Sequence, residues 1–118
     1  MKVMIPVDED KSTVCAAFGR APYFMICNTD DDVIEYKNNP AVSAHGGAGI
    51  KAAQFIIDCE ADALITVRLG ENAAEVLKAA DIKIYKSIVA SAQLNVENLK
   101  NEQLPQLTQF HAGYHGKL

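Results

Sequence analysis

Asp62-Ala63-Leu64-Ile65-Thr66-Val67-Arg68-Leu69-Gly70-Glu71-Asn72-Ala73-Ala74-Glu75-Val76-Leu77-Lys78-Ala79-Ala80-Asp81-Ile82-Lys83-Ile84-Tyr85 is the stretch that decides the fold class. Residues 63–67 form an apolar run without polar interruption, as expected of a central strand covered on both faces. Arg68-Leu69-Gly70-Glu71 reads as a short loop. Asn72, with Glu75 three residues on, resembles a capping box that opens a helix through Ala80. Residues 82–85 then read as a further strand. Strand, helix and strand in succession imply a right-handed crossover and parallel neighbours. Ligands of such sheets gather at the carboxyl ends of the strands.

Outward from this unit, residues 2–7 read as a buried strand, and residues 23–27 and 33–37 as two more. Asn28-Thr29-Asp30-Asp31-Asp32 between the latter two has the turn chemistry of a hairpin, its acids forming a solvated tip rather than a metal site. Residues 38–47 form a loop. Residues 48–60 read as a helix with an apolar stripe of Ile50, Ala53, Phe55, Ile56 and Ile57. A last helix is expected within residues 91–101, and residues 105–118 read as a polar tail. The expected architecture is a single α/β domain with a mixed, mostly parallel sheet of about five strands flanked by helices.

Composition narrows the function classes. The chain has 118 residues, 49% apolar and 22% charged, which is ordinary globular usage. A net charge of -4 argues against a broad basic face for nucleic acid or an anionic membrane. No apolar run is long enough to span a bilayer, and acids at Asp8-Glu9-Asp10 come too early for a signal peptide. The 3 cysteines cannot form a complete disulfide set, so a reduced, cytoplasmic protein is expected.

The 11 basic residues include only two arginines, Arg20 and Arg68, each in a glycine-containing loop beside a strand. A guanidinium presents a planar fork of donors suited to anions, and glycine lets backbone N–H groups approach closely. The alternative for either is an arginine that caps a carbonyl or pairs with an acid. His45-Gly46-Gly47-Ala48-Gly49 leads into a helix, whose unpaired N–H groups attract anions. The match of Gly47-Ala48-Gly49-Ile50-Lys51-Ala52 to a dinucleotide fingerprint is a decoy, since no strand precedes it directly. Cys15, in a loop, is the best thiol candidate; Cys27 and Cys59 read as buried hydrophobes. His111 and His115 fall in the expected tail, where only adventitious metal binding is anticipated. A nucleophile elbow is absent, and Asp8 and Asp62 stand at opposite ends of the sheet, so catalysis finds no support.

Residues 1–8, Phe18-Gly19-Arg20-Ala21-Pro22-Tyr23-Phe24, Asn39-Pro40, Gly46-Gly47-Ala48-Gly49-Ile50 and Arg68-Leu69-Gly70-Glu71-Asn72-Ala73 follow one another in order. In that order the chain resembles the dinitrogenase iron–molybdenum cofactor biosynthesis family, which takes in nitrogenase cofactor carriers and orange-protein-like cluster-binding domains. The resemblance runs to about Leu104, so residues 1–104 are expected to form the family domain. It implies a ribonuclease H-like fold without nuclease activity. It also implies a non-enzymatic carrier or accessory protein that binds an anionic metal–sulfur cluster, iron–molybdenum cofactor or a related molybdenum–sulfur species, with cofactor-assembly proteins as partners. The family often has a histidine where this chain has Ala17, and Gly-Arg-Ile-Gly-Pro-Asn where this chain reads Val67-Arg68-Leu69-Gly70-Glu71-Asn72.

The expected receptor combines Phe18, Gly19, Arg20, His45, Gly46, Gly47, Gly49, Arg68, Gly70 and Asn72, with Cys15 and His45 as candidate metal ligands. Two alternatives compete with the carrier. One is a regulatory or interaction protein that keeps the fold without cargo. The other, more distant, is an enzyme acting on a small phosphorylated or nucleotide ligand at residues 45–49.

Overall fold

The computed structural model describes residues 1–112. Strands β1 (Lys2–Val7), β2 (Tyr23–Asn28), β3 (Ile34–Asn38), β4 (Ala63–Thr66) and β5 (Lys83–Lys86) form one sheet in the order β3-β2-β1-β4-β5. Helices α1 (Ala48–Asp58), α2 (Glu71–Ala79) and α3 (Ala92–Lys100) complete the fold, with a 3-10 turn at Phe18–Arg20. β1 pairs with β2 antiparallel, as β2 does with β3, while β1–β4 and β4–β5 are parallel. The sheet is therefore mixed, and β1, β4 and β5 end on the same edge.

Alternation along the strands builds a layer on each face. Met4, Phe24, Ile26, Leu64 and Ile84 face one core with Ala52, Ala53 and Ile56 of α1 and Ala73, Ala74 and Leu77 of α2. Val3, Ile5, Val7, Met25, Ala63 and Ile65 face the other core with Ala92 and Val96 of α3. The uninterrupted apolar runs of β1 and β4 follow from this, since both of their faces are covered.

Three local expectations are corrected. Helix α2 starts at Glu71 with Gly70 as its N-cap and no side-chain cap, so Asn72 opens no capping box. Instead Glu71 N–H donates to the carbonyl of His111, 2.9 Å away, a partner remote in sequence. Ile50 lies outside the core, 45% exposed at the start of α1, because the apolar stripe narrows there toward the groove described below. Residues 105–111, expected as a polar tail, run beside β5 and return to the start of α2. Lys86 N–H donates to Pro105 O at 2.8 Å and Leu107 N–H to Ile84 O at 3.0 Å. Leu107 and Phe110 pack on the α1–α2 core, and Lys78 Nζ lies 4.3 Å above the Phe110 ring. His115 lies outside the described residues. No described helix is long and apolar enough to cross a membrane.

Candidate functional site

The groove opens where β1 and β4 give way to the segments in front of α1 and α2. It has a volume of about 920 Å³. Its walls come from residues 16–20 after β1, residues 45–50 at the start of α1, Arg68, Leu69 and Gly70 between β4 and α2, Asn72 and Ala73 in the first turn of α2, and His111 from the C-terminal strap. All ten residues expected in the receptor line it: Phe18, Gly19, Arg20, His45, Gly46, Gly47, Gly49, Arg68, Gly70 and Asn72. A smaller cavity of about 180 Å³ lies elsewhere, between β2, β3 and α3, and holds none of them.

Close backbone approach shapes the groove. A Cβ on Gly19 would fall 2.9 Å from Ala48 C and from Gly49 N, so only glycine lets the 3-10 turn dock against the start of α1. Gly47, the N-cap of α1, has φ +66°, a left-handed conformation that favours glycine. Asn39, 2% exposed, locks the assembly from behind. Its Nδ2 donates to Gly19 O at 3.2 Å and Ala21 O at 2.9 Å, and its Oδ1 accepts from Ala41 N–H at 2.9 Å. Behind the β4–α2 segment, buried Thr66 donates through Oγ1 to Arg68 O at 3.3 Å.

The electrostatics of the groove have one sign. Its lining holds Arg20, Arg68, His45 and His111, and no Asp or Glu, in a chain with 15 acids. Neither arginine pairs with a carboxylate among the described residues. Helices α1 and α2 both start at the groove, and a helix N-terminus carries about half a positive charge, though at α2 the Glu71 N–H is already taken by the His111 carbonyl. Glu71, although the first residue of α2, is exposed and stands outside the lining.

The arginines differ. Arg20 Nη1 donates to Val42 O at 3.1 Å and Ala44 O at 2.6 Å, so part of its fork caps carbonyls and the rest remains for a ligand. Arg68 is exposed, and its guanidinium has no hydrogen-bond partner among the described residues.

Cys15 stays outside the groove lining. Its N–H donates to Pro6 O at 2.8 Å and its Sγ lies 3.8 Å from Ala17 O. Burial pushes its thiol above the ordinary value, and the adjacent Asp8 adds to the effect. A thiol so placed is a poor source of the thiolate that metals require. Among the described residues no group of three or more His, Cys, Asp or Glu is arranged to hold a metal ion. Asp8, directly after β1, and the residues after β5 also lie outside the lining.

Sequence reasoning missed Asn39 and His111 as site residues. Asn39 had a signal, since an Asn before Pro in a polar loop favours a side-chain-to-backbone turn. His111 had none, because its place depends on a strap that pairs with residues far away along the chain.

The fold is shared with solved structures. The chain is 27% identical to the apo form of the orange protein from Desulfovibrio gigas, with TM-score 0.83, over 91% of this chain and 92% of that one. It is 33% identical to a putative NifB protein from Thermotoga, with TM-score 0.76, over 92% and 95% of the two chains. A putative dinitrogenase from Methanocaldococcus jannaschii, 20% identical with TM-score 0.72 over 92% and 96%, shows the fold alone. Among curated proteins none matches at a comparable level. The family described as dinitrogenase iron-molybdenum cofactor matches residues 1–102, and the chain belongs to it.

Proposed function

We propose that this protein is a small, non-catalytic carrier or accessory protein that holds an anionic metal–sulfur cluster, iron–molybdenum cofactor or a related molybdenum–sulfur species, for cofactor assembly or storage. The observation that carries the reading is the acid-free groove, in which two guanidinium groups, two imidazoles and two helix N-termini face one cavity. The donor set fits such a cargo. A cluster that brings its own sulfides needs charge neutralisation and few protein ligands, and N–H donors around a polyanion provide that. Binding of this kind also releases readily, as a carrier requires.

Anaerobic titration with iron–molybdenum cofactor or a molybdenum–sulfur anion, followed by absorption, tests the reading. Each hydrogen bond to a charged group contributes about 1.5–3 kcal/mol. Replacing Arg20 and Arg68 together by Gln should therefore weaken binding at least tenfold, roughly 1.4 kcal/mol. Affinity should also fall as salt rises, because exposed charges are screened over about 8 Å at physiological ionic strength. Unchanged affinity in the double variant removes the electrostatic basis of the proposal.

A further inference from the structure

The strap after α3 ends by setting an imidazole in the wall of the groove. His111 N–H donates to Leu69 O at 3.2 Å, and its carbonyl accepts from Glu71 N–H at 2.9 Å, so its backbone is tied to both ends of the β4–α2 turn. The ring packs against that turn: its Cε1 is 3.1 Å from where a Cβ on Gly70 would stand. Nδ1 is 3.2 Å from Ala112 O. A proton on Nδ1 that donates to this carbonyl leaves the lone pair on Nε2, which has no partner among the described residues. Histidines that bind metals have their tautomer set in this way, by a hydrogen bond from the other ring nitrogen to a carbonyl. The residue lies beyond residues 1–102, the part of the chain that the family matches.

We propose that His111 is the coordinating side chain of the groove, its Nε2 ligating a metal of the bound cluster while Arg20 and Arg68 hold the cluster's charge. The inference rests on the carrier reading above. The step is a ligand exchange: the Nε2 lone pair replaces a labile ligand such as water, and no electron changes hands. The other candidates are less suited. Cys15 is outside the lining, and no hydrogen bond among the described residues fixes the ring of His45. Imidazole suits iron and other first-row metals, so one such ligand adds a directional bond to a site otherwise built on charge.

The test titrates the full chain, His111→Ala and His111→Gln anaerobically with isolated iron–molybdenum cofactor. Absorption reads affinity, and pulsed EPR on 15N-histidine-labelled protein reads coordination. Neither substitution touches the backbone bonds to Leu69 and Glu71, and thermal unfolding of each variant verifies that the strap stays in place. The expected result is a nitrogen hyperfine coupling in the unaltered protein, lost in both variants, with affinity down about tenfold or more, as for altered metal-site histidine shells. Unchanged affinity with the coupling intact in His111→Ala overturns the inference and leaves the carrier reading standing. Full affinity in His111→Gln without any coupling in the unaltered protein assigns His111 a hydrogen-bonding role and likewise overturns it. If the unaltered protein takes up no cluster, the carrier reading falls and this inference with it.

Discussion

Arg20 and Arg68 bring the same charge to the groove but are held differently, and substitution should separate the two roles. The Arg68 guanidinium makes no hydrogen bond or ion pair among the described residues, so Arg68→Gln should lower cluster affinity while thermal unfolding stays within about 0.5 kcal/mol of the unaltered protein. Arg20 also caps Val42 O and Ala44 O, so Arg20→Gln should lower affinity and cost about 1 kcal/mol of stability by freeing the loop before α1. Asp10 shapes the loop on the other side. The Thr13 hydroxyl, with the N–H groups of Ser12 and Thr13, holds its carboxyl down to about 2, from an ordinary 3.8. A lowered folded value means that the carboxylate favours the fold above the ordinary range, and that this contribution fades as pH falls from about 4 toward 2. An NMR titration should place the Asp10 midpoint near 2, and Thr13→Ala should raise it. The two arginines were legible in the sequence because each sits between a strand and a glycine, where few other roles suit a guanidinium. That Cys15, a candidate ligand in the sequence, stands outside the groove lining was not legible, since its surroundings are set by Pro6, Asp8 and Ala17 around the loop, which no spacing of residues encodes.

The segments that frame the groove depend on backbone contacts more than on side chains. The 3-10 turn at Phe18–Arg20 meets α1 at a distance that leaves no room for a methyl group, whereas a Cβ on Gly46 would find nothing within 4 Å. Gly19→Ala should accordingly destabilise the protein by about 1–3 kcal/mol and weaken cluster binding, because the turn must lift off α1. Gly46→Ala should change stability by less than about 0.5 kcal/mol. Denaturant unfolding of the pair reads the difference directly. Asn39 belongs to the same frame: Asn39→Ala leaves Gly19 O, Ala21 O and Ala41 N–H without this partner, a loss of about 1–3 kcal/mol for each group left unsatisfied. Helix α2 shows why its start was misread. Local signals favoured Asn72 and Glu75, but a carbonyl from the strap meets Glu71 N–H, and tertiary structure overrides a local cap.

Across the whole molecule, the period of the apolar residues was the readable part. Strands β1 and β4 are apolar on both faces and α1 and α2 on one, so a sheet with helices on both sides follows from burial alone. What was not readable is how the chain treats its last edge. Strand β5 is an edge of the sheet, and residues 105–107 lie along it, with Tyr85 opposite Gln106. Open edges pair with other chains, and a covering segment prevents that. The strap is polar in composition, so it reads as a tail, yet Leu107 and Phe110 anchor it to the α1–α2 core at spacings set by the folded edge. A chain ending at Leu104 would lose both contacts and the Lys86–Pro105 and Leu107–Ile84 backbone bonds. Half-burial of two large apolar side chains contributes about 2–3 kcal/mol. The shortened chain should therefore melt several degrees lower, at about 4 °C for each kcal/mol in a domain of this size. With β5 uncovered it should also self-associate with rising concentration, whereas His111→Ala, which keeps the strap, should do neither. Size-exclusion chromatography beside thermal unfolding reads both effects. A shortened chain that stays at the full-length apparent size and melting temperature would mean that the strap serves the groove alone and lends the sheet no support.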